Sequence, residues 1–147
     1  MAVWQGVNIN TGATELPKYN AEGVFEEIYI AALTTALANG DTIVGPVVQA
    51  GNFVTSAKAA ADALDSAVSG LLAFEVGYIN NGTLTAAGFI TTGQTVARAG
   101  GIVSANVAAS YGQVFTNPVT VVAVITAAAG TAVAGNFRLG VSMTASP

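Results

Sequence analysis

Few side chains here can do chemistry, and Asp62 and Asp65 in Asp62-Ala63-Leu64-Asp65-Ser66 come first. Calcium takes about six to eight oxygens gathered in a loop. The next acid along the chain is Glu75, and Asp41 could join only through the fold. The better expectation is a solvated turn in which Asp65 caps backbone amides. Glu26-Glu27 is a second acidic pair. Adjacent residues of a strand face opposite ways, so the two cannot act on one bond. One is expected to be exposed and the other to lie at a subunit contact. Gly88-Phe89-Ile90-Thr91-Thr92-Gly93-Gln94-Thr95 nearly spells a phosphate-binding loop, but Gln94 stands where the lysine is needed. Without that cation the terminal phosphates lose their point charge. The chain has no His and no Cys. A serine triad therefore has no imidazole base, and thiol, disulfide and Cys-ligated metal chemistry are excluded. Neither Lys18 nor Lys58 sits in a Ser-x-x-Lys pattern. Asn81-Gly82-Thr83 has the form of a glycosylation sequon and is better taken as a turn.

Such a chain needs a fold more than a reaction centre. Its 147 residues fit one domain. Charged residues make up only 8%, against about 25% in ordinary domains. Four Lys and Arg cannot neutralise a run of phosphates, so nucleic acid is not an expected partner. With 52% hydrophobic residues there is enough to bury a core, which argues against disorder. The apolar content is small and β-branched: 29 Ala, 19 Val and 16 Thr, with only 7% aromatics. That suits tightly packed strands. A surface so poor in charge is sticky on a free monomer, which points to covering partners.

The start, Met1-Ala2-Val3-Trp4-Gln5-Gly6, shows neither a basic nor an apolar signal-peptide region, so no secretory signal is expected. Val119 to Gly135 is the best membrane candidate, but Gly130 and three threonines interrupt it. Strand–turn–strand explains it better than a spanning helix. Residues 1–24 read as an extended arm: a polar, turn-prone stretch and Pro17 surround the apolar anchors Trp4, Val7 and Ile9.

From residue 25 onward, strand patterns alternate with turn signals. Phe25–Leu33 puts Ile28, Ile30 and Ala32 on one face. Thr42–Val48 is a strand broken at Gly45-Pro46. Ser56–Leu72 is ambiguous: its alanines and the stripe Leu64, Val68, Leu71, Leu72 favour a helix, while Phe53-Val54-Thr55 opens as a strand. Leu72, Phe74, Val76 and Tyr78 share a strand face, and Asn80-Asn81-Gly82 follows as a tight turn. A short helix is expected within Phe89–Ala99, then a strand over Ile102–Val107. Val119–Thr126 is apolar on both faces, and Phe137, Leu139, Val141 and Met143 alternate with polar residues or glycine. About seven or eight short strands at this spacing make an all-β sandwich or barrel.

From about Thr42 onward the chain resembles the head decoration (cement) proteins of tailed phages. The resemblance is carried by Gly40-Asp41-Thr42-Ile43-Val44, Asp62-Ala63-Leu64-Asp65-Ser66, Phe74-Glu75-Val76-Gly77-Tyr78, Val96-Ala97-Arg98-Ala99-Gly100-Gly101 and Ala134-Gly135-Asn136-Phe137-Arg138-Leu139-Gly140-Val141. It implies a two-sheet β-sandwich of jelly-roll type over residues 25–147, and it favours a strand over residues 53–64. It also implies a non-enzymatic virion protein on the outer surface of the capsid, made in the host cytoplasm. The partners would be the major capsid protein and further copies of the chain, most often as a trimer, and no cofactor is implied.

Two interfaces are expected. One is the arm, through Trp4, Val7 and Ile9. The other is the second face of Val119–Ile125, with Val122 and Val124, because a sandwich strand needs only one buried face. A carbohydrate- or receptor-binding module of a phage fibre is the rival. It calls for exposed aromatics, with Trp4, Tyr19, Tyr29 and Tyr111 as candidates.

Overall fold

In a computed structural model, residues 3–5, 7–8 and 25–145 are described. They form ten strands: β1 (Val3–Gln5), β2 (Val7–Asn8), β3 (Phe25–Leu33), β4 (Thr42–Val48), β5 (Asn52–Ala61), β6 (Ala73–Asn80), β7 (Thr83–Gln94), β8 (Gly101–Ser104), β9 (Val119–Ala127) and β10 (Gly135–Ala145). A 3-10 turn at Ala108–Ser110 is the only helical element among the described residues.

The strands make two sheets, ordered β1-β4-β9-β6-β7 and β2-β3-β10-β5-β8. Only β1 runs parallel to its neighbour. The sheets face each other as a β-sandwich, and the alternation read in the sequence fills the space between them. Phe137, Leu139, Val141 and Met143 are all buried from one side. Leu72, Phe74 and Val76 are buried from the other, with Tyr78 packed at the margin. Phe74 and Phe137 meet across the sheets edge to face, with centroids 5.0 Å apart. Such a pair adds about 0.5–1.5 kcal/mol beyond its buried area.

Local signals set the turns. Asn81 (φ 48°) and Gly82 (φ 78°) both adopt the left-handed backbone that a two-residue hairpin requires, joining β6 to β7. Gly45-Pro46 does not end β4 but shifts its register against β9 between Val44 and Val47. A bulge is one of the few places within a sheet where Pro, with no N–H to donate, is tolerated.

One expectation, a helix within Phe89–Ala99, yields to tertiary structure, and the ambiguity after residue 56 resolves as the strand that the resemblance implied. The alanine-rich stretch after residue 56 is strand up to Ala61, because β5 is held between β10 and β8 and its Ala57, Ala59 and Ala61 are buried. Neighbouring strands satisfy its backbone, which outweighs helix propensity. Phe89–Ala99 holds no helix: the β-branched run Ile90-Thr91-Thr92 continues β7 to Gln94, and a turn follows. On β3, Ile28, Ile30 and Ala32 share a face, but Ala31 and Leu33 on the opposite face join the core.

Residues 3–5 and 7–8 close one side of the sandwich. β1 extends the first sheet beside Thr42–Val44, and β2 extends the second beside Tyr29 and Ile30. The connection after β8 closes the other side. Asn106 and Val107 both donate N–H bonds to Phe89 O on β7.

Candidate functional site

Asp65 accepts five backbone hydrogen bonds. It lies in the loop between β5 and β6 and is buried. Its Oδ1 accepts the amides of Ala67 (3.1 Å) and Thr131 (2.9 Å). Its Oδ2 accepts those of Leu71 (2.8 Å), Leu72 (3.1 Å) and Gly130 (3.0 Å). The N–H groups of Thr131 and Gly130 first, then those of Leu72 and Ala67, outweigh the opposing effect of burial and hold the carboxyl far below its ordinary pKa of 3.8. The amides thus do what a cation would otherwise do. Arg98, from the loop after β7, completes the knot: its Nε donates to Leu72 O at 2.9 Å. The expected turn with a capping Asp65 is present, but it is buried rather than solvated.

Asp62 faces elsewhere. It accepts Asn136 N–H at 2.8 Å and pairs with Arg138 at 3.0 Å. The Asn136 amide first, and Arg138 second, lower its pKa. The two aspartates therefore serve different segments, Asp62 the start of β10 and Asp65 the loop before it. Asp41 is spent on the amide of Ala38 at 2.9 Å. No group of three or more potential ligands for a metal ion occurs among the described residues.

The other chemical candidates separate in the same way. Glu26 approaches Lys58 at 3.6 Å, while Glu27 is buried. Residues 88–94 lie within β7, where no helix N-terminus follows to receive a phosphate. Gln94 instead donates to Thr91 O at 3.0 Å. Val119–Gly135 is β9, a loop and the first residue of β10, and no helix among the described residues is long and apolar enough to cross a membrane.

Of the expected interface residues, Trp4 lies on β1 beside Ile43 and packs, half-buried, against the chain's own core. Val7 pairs with Ile30. Ile9 and Tyr19 lie outside the described residues. Val122 is fully buried within the single chain and offers a partner no free area, whereas Val124 is half-buried. The cover over Val122 has a structural cause. Its register neighbour on β6 is Gly77, where a Cβ would collide with Thr85 O. The β6–β7 ladder slips at this point, from Val76–Ile90 to Tyr78–Thr85. The slipped part of β7 folds over the outer face, so β7 touches β9 although β6 lies between them.

The large apolar side chains that do face solvent were not singled out by sequence. Val68 and Leu71 stand on the Asp65-bound loop, Val133 on the neighbouring loop and Ile102 on β8. Val68 and Leu71 belonged to a helical stripe in the sequence, which gave no sign of their exposure. At the opposite end Tyr111 is 72% exposed beside a cleft of about 280 Å³. Among the described residues it was the one aromatic candidate that the structure leaves open.

No family profile matches the sequence, and no curated protein does. Two solved structures match the fold. A chain of the Ralstonia phage GP4 capsid aligns over 99% of this chain and 99% of its own length, with a TM-score of 0.80 and 22% identity. A chain of the cyanophage Pam1 capsid asymmetric unit aligns over 89% of this chain and 91% of its own, with a TM-score of 0.70 and 20% identity.

Proposed function

We propose that this protein is a structural component of a tailed-phage virion that binds the outer surface of the capsid and stabilises it by bridging capsid subunits. The observation that carries this is the end-to-end match, at a TM-score of 0.80, to a chain of a phage capsid. The second match is again to a phage capsid chain. The strand order supports the jelly-roll form. With β1 and β2 set aside, the sheets read β3-β10-β5-β8 and β4-β9-β6-β7, the nested pairing of two Greek keys. The chemistry agrees, since the described carboxylates whose bonds are named above are committed to backbone amides and ion pairs. The role is therefore binding rather than catalysis. A bridging protein stabilises a shell by mass action, because each bridged contact must break before the shell opens.

In this proposal the major capsid protein is one partner and further copies of the chain are the other, arranged as a homotrimer. Exposed Val68, Leu71, Ile102 and Val133 are the apolar area such contacts would cover. Val124 contributes at the margin of β9. Residues 1–24 are an arm in this proposal, whose Val3–Gln5 and Val7–Asn8 lie along the chain's own sheets, so that Trp4 anchors it to its own sandwich rather than to the neighbour. The protein is made in the host cytoplasm and resides on the virion exterior.

The test is addition of purified protein to heads that lack it. Saturable co-sedimentation and a higher temperature of DNA release are expected. Heads that neither bind the protein nor gain heat resistance would overturn the proposal.

A further inference from the structure

The cleft beside Tyr111 has a cause in the sheet. The β8 ladder on β5 reaches Ser104 opposite Lys58, and Ala105 N–H makes one more bond, to Ala57 O at 2.7 Å. The chain then bows away. It returns only at Val54, which accepts from Gly112 N–H at 2.8 Å and donates to Gln113 O at 3.0 Å. Between those contacts β5 shifts register against β10, from Ser56–Ser142 to Val54–Met143, leaving Thr55 as an extra residue. A bulge on one side and a bowed connection on the other open a cleft of about 280 Å³, lined among others by Thr55, Ser56, Asn106, Ser110 and Tyr111.

Its lining carries no Lys, Arg, Asp or Glu. Two of its polar groups are oriented by hydrogen bonds. Asn106 Oδ1 accepts Thr91 N–H at 2.8 Å, which orients the amide and leaves its NH2 to donate. Ser110 Oγ donates to Val107 O at 2.7 Å, leaving its lone pairs to accept. Thr55 and Ser56 add two hydroxyls. The Tyr111 ring stands edge-on to Phe53, with centroids 6.4 Å apart and planes at 82°. Gly112 permits that contact: its φ is +80°, and a Cβ there would lie 3.0 Å from Phe53 Cζ.

An exposed ring flanked by oriented, uncharged donors and acceptors suits one ligand chemistry. A pyranose has an apolar C–H face for the ring and a rim of hydroxyls for the polar groups. An anionic or cationic ligand finds no counter-charge here, and a purely apolar one would strip water from groups it cannot replace. The volume suits about one or two sugar units.

We propose that this cleft binds a neutral saccharide, with Tyr111 stacking on one sugar and Asn106, Ser110, Thr55 and Ser56 bonding its hydroxyls. This site goes beyond the capsid role and does not depend on it.

The test is amide chemical-shift mapping with a panel of uncharged hexose and N-acetylhexosamine disaccharides at millimolar concentration. Saturable shifts confined to residues 55–56 and 105–112 are expected for at least one sugar. Tyr111→Ala should weaken that binding about tenfold or more, and Tyr111→Phe should retain it. Ser56→Tyr, which fills the cleft without touching the ring, should also abolish it. All three variants should keep the parental melting temperature. No shifts with any sugar, equal binding by Tyr111→Ala, or a preference for sialylated or uronate sugars would each overturn the proposal. So would binding of an extended peptide in the absence of any sugar response.

Discussion

At one end of the sandwich the loops after β5, β7 and β9 converge on the carboxylate of Asp65 and the guanidinium of Arg98. At the other end the chain converges on rings. Tyr78 lies 4.8 Å from Phe115 and 5.5 Å from Phe89, and Gln113 Nε2 bonds Tyr78 Oη at 3.3 Å. Both ends tie remote segments together. The first does so with directional bonds to a charge, each requiring its acceptor in place. The second does so with packed surface, which tolerates small shifts and carries no charge. One end should therefore respond to protons and the other should not.

Asp65→Asn should show the larger effect. In either orientation the new amide presents an NH2 group to backbone N–H donors, so two or three of the five bonds are lost in a buried site. A fall in Tm on the order of 15 °C is expected by calorimetry. The parent protein carries the matching pH dependence. Its unfolded Asp65 takes up a proton near 3.8, while the folded carboxyl resists protonation to much lower pH. Stability should be level above about pH 5 and should fall as pH drops through that value. In Asp65→Asn this acid-induced fall should shrink. An equally steep fall in the variant would remove Asp65 as its source.

Phe115→Ala opens a cavity in the aromatic cluster and should cost about 3–5 kcal/mol, on the order of 10 °C in Tm. The loss should be the same at neutral pH and at about pH 3. A strongly pH-dependent loss would dissolve the contrast between the ends.

Gly112→Ala should cost about 1–2 kcal/mol, because φ +80° strains any L side chain and the new Cβ presses on Phe53. Denaturant titration would measure it, and a neutral result would mean that the backbone relaxes there freely. Lys58→Met is the smallest change. Its partner Glu26 is 3.6 Å away, and both side chains are more than a third exposed. The effect should stay within about 0.5 kcal/mol. A larger loss would show that outer-face charges matter as much as the Asp65 knot.

What could be read from sequence followed the range of the interactions. The alternation of Phe137 to Met143 and the Asn81-Gly82 turn are local codes, and both appear in place. The sandwich followed from them. Asp65 was legible as an amide cap, but its burial was not, because Gly130 and Thr131 reach it from 65 and 66 residues away. Val122 looked unpartnered because nothing local announces the slipped ladder that folds β7 over it. Pattern alone left Ala57–Ala61 open between helix and strand, because alanine favours a helix and also fits the close approach of two sheets; the strand expected from the resemblance is what forms. Tyr111 was visible as an aromatic, whereas the cleft beside it depends on a bulge and a bowed connection that no spacing encodes.

The short strands β1 and β2 are one residue apart in sequence, yet they border different sheets. Two independent edge strands would fray separately, each exposing its own margin. Here a single release uncovers the borders of β4 and β3 together, and with them two rows of backbone donors and acceptors that could template another chain. Protection against edge-to-edge aggregation on this side is consequently all-or-none, governed by one equilibrium in which Trp4 supplies the largest side chain.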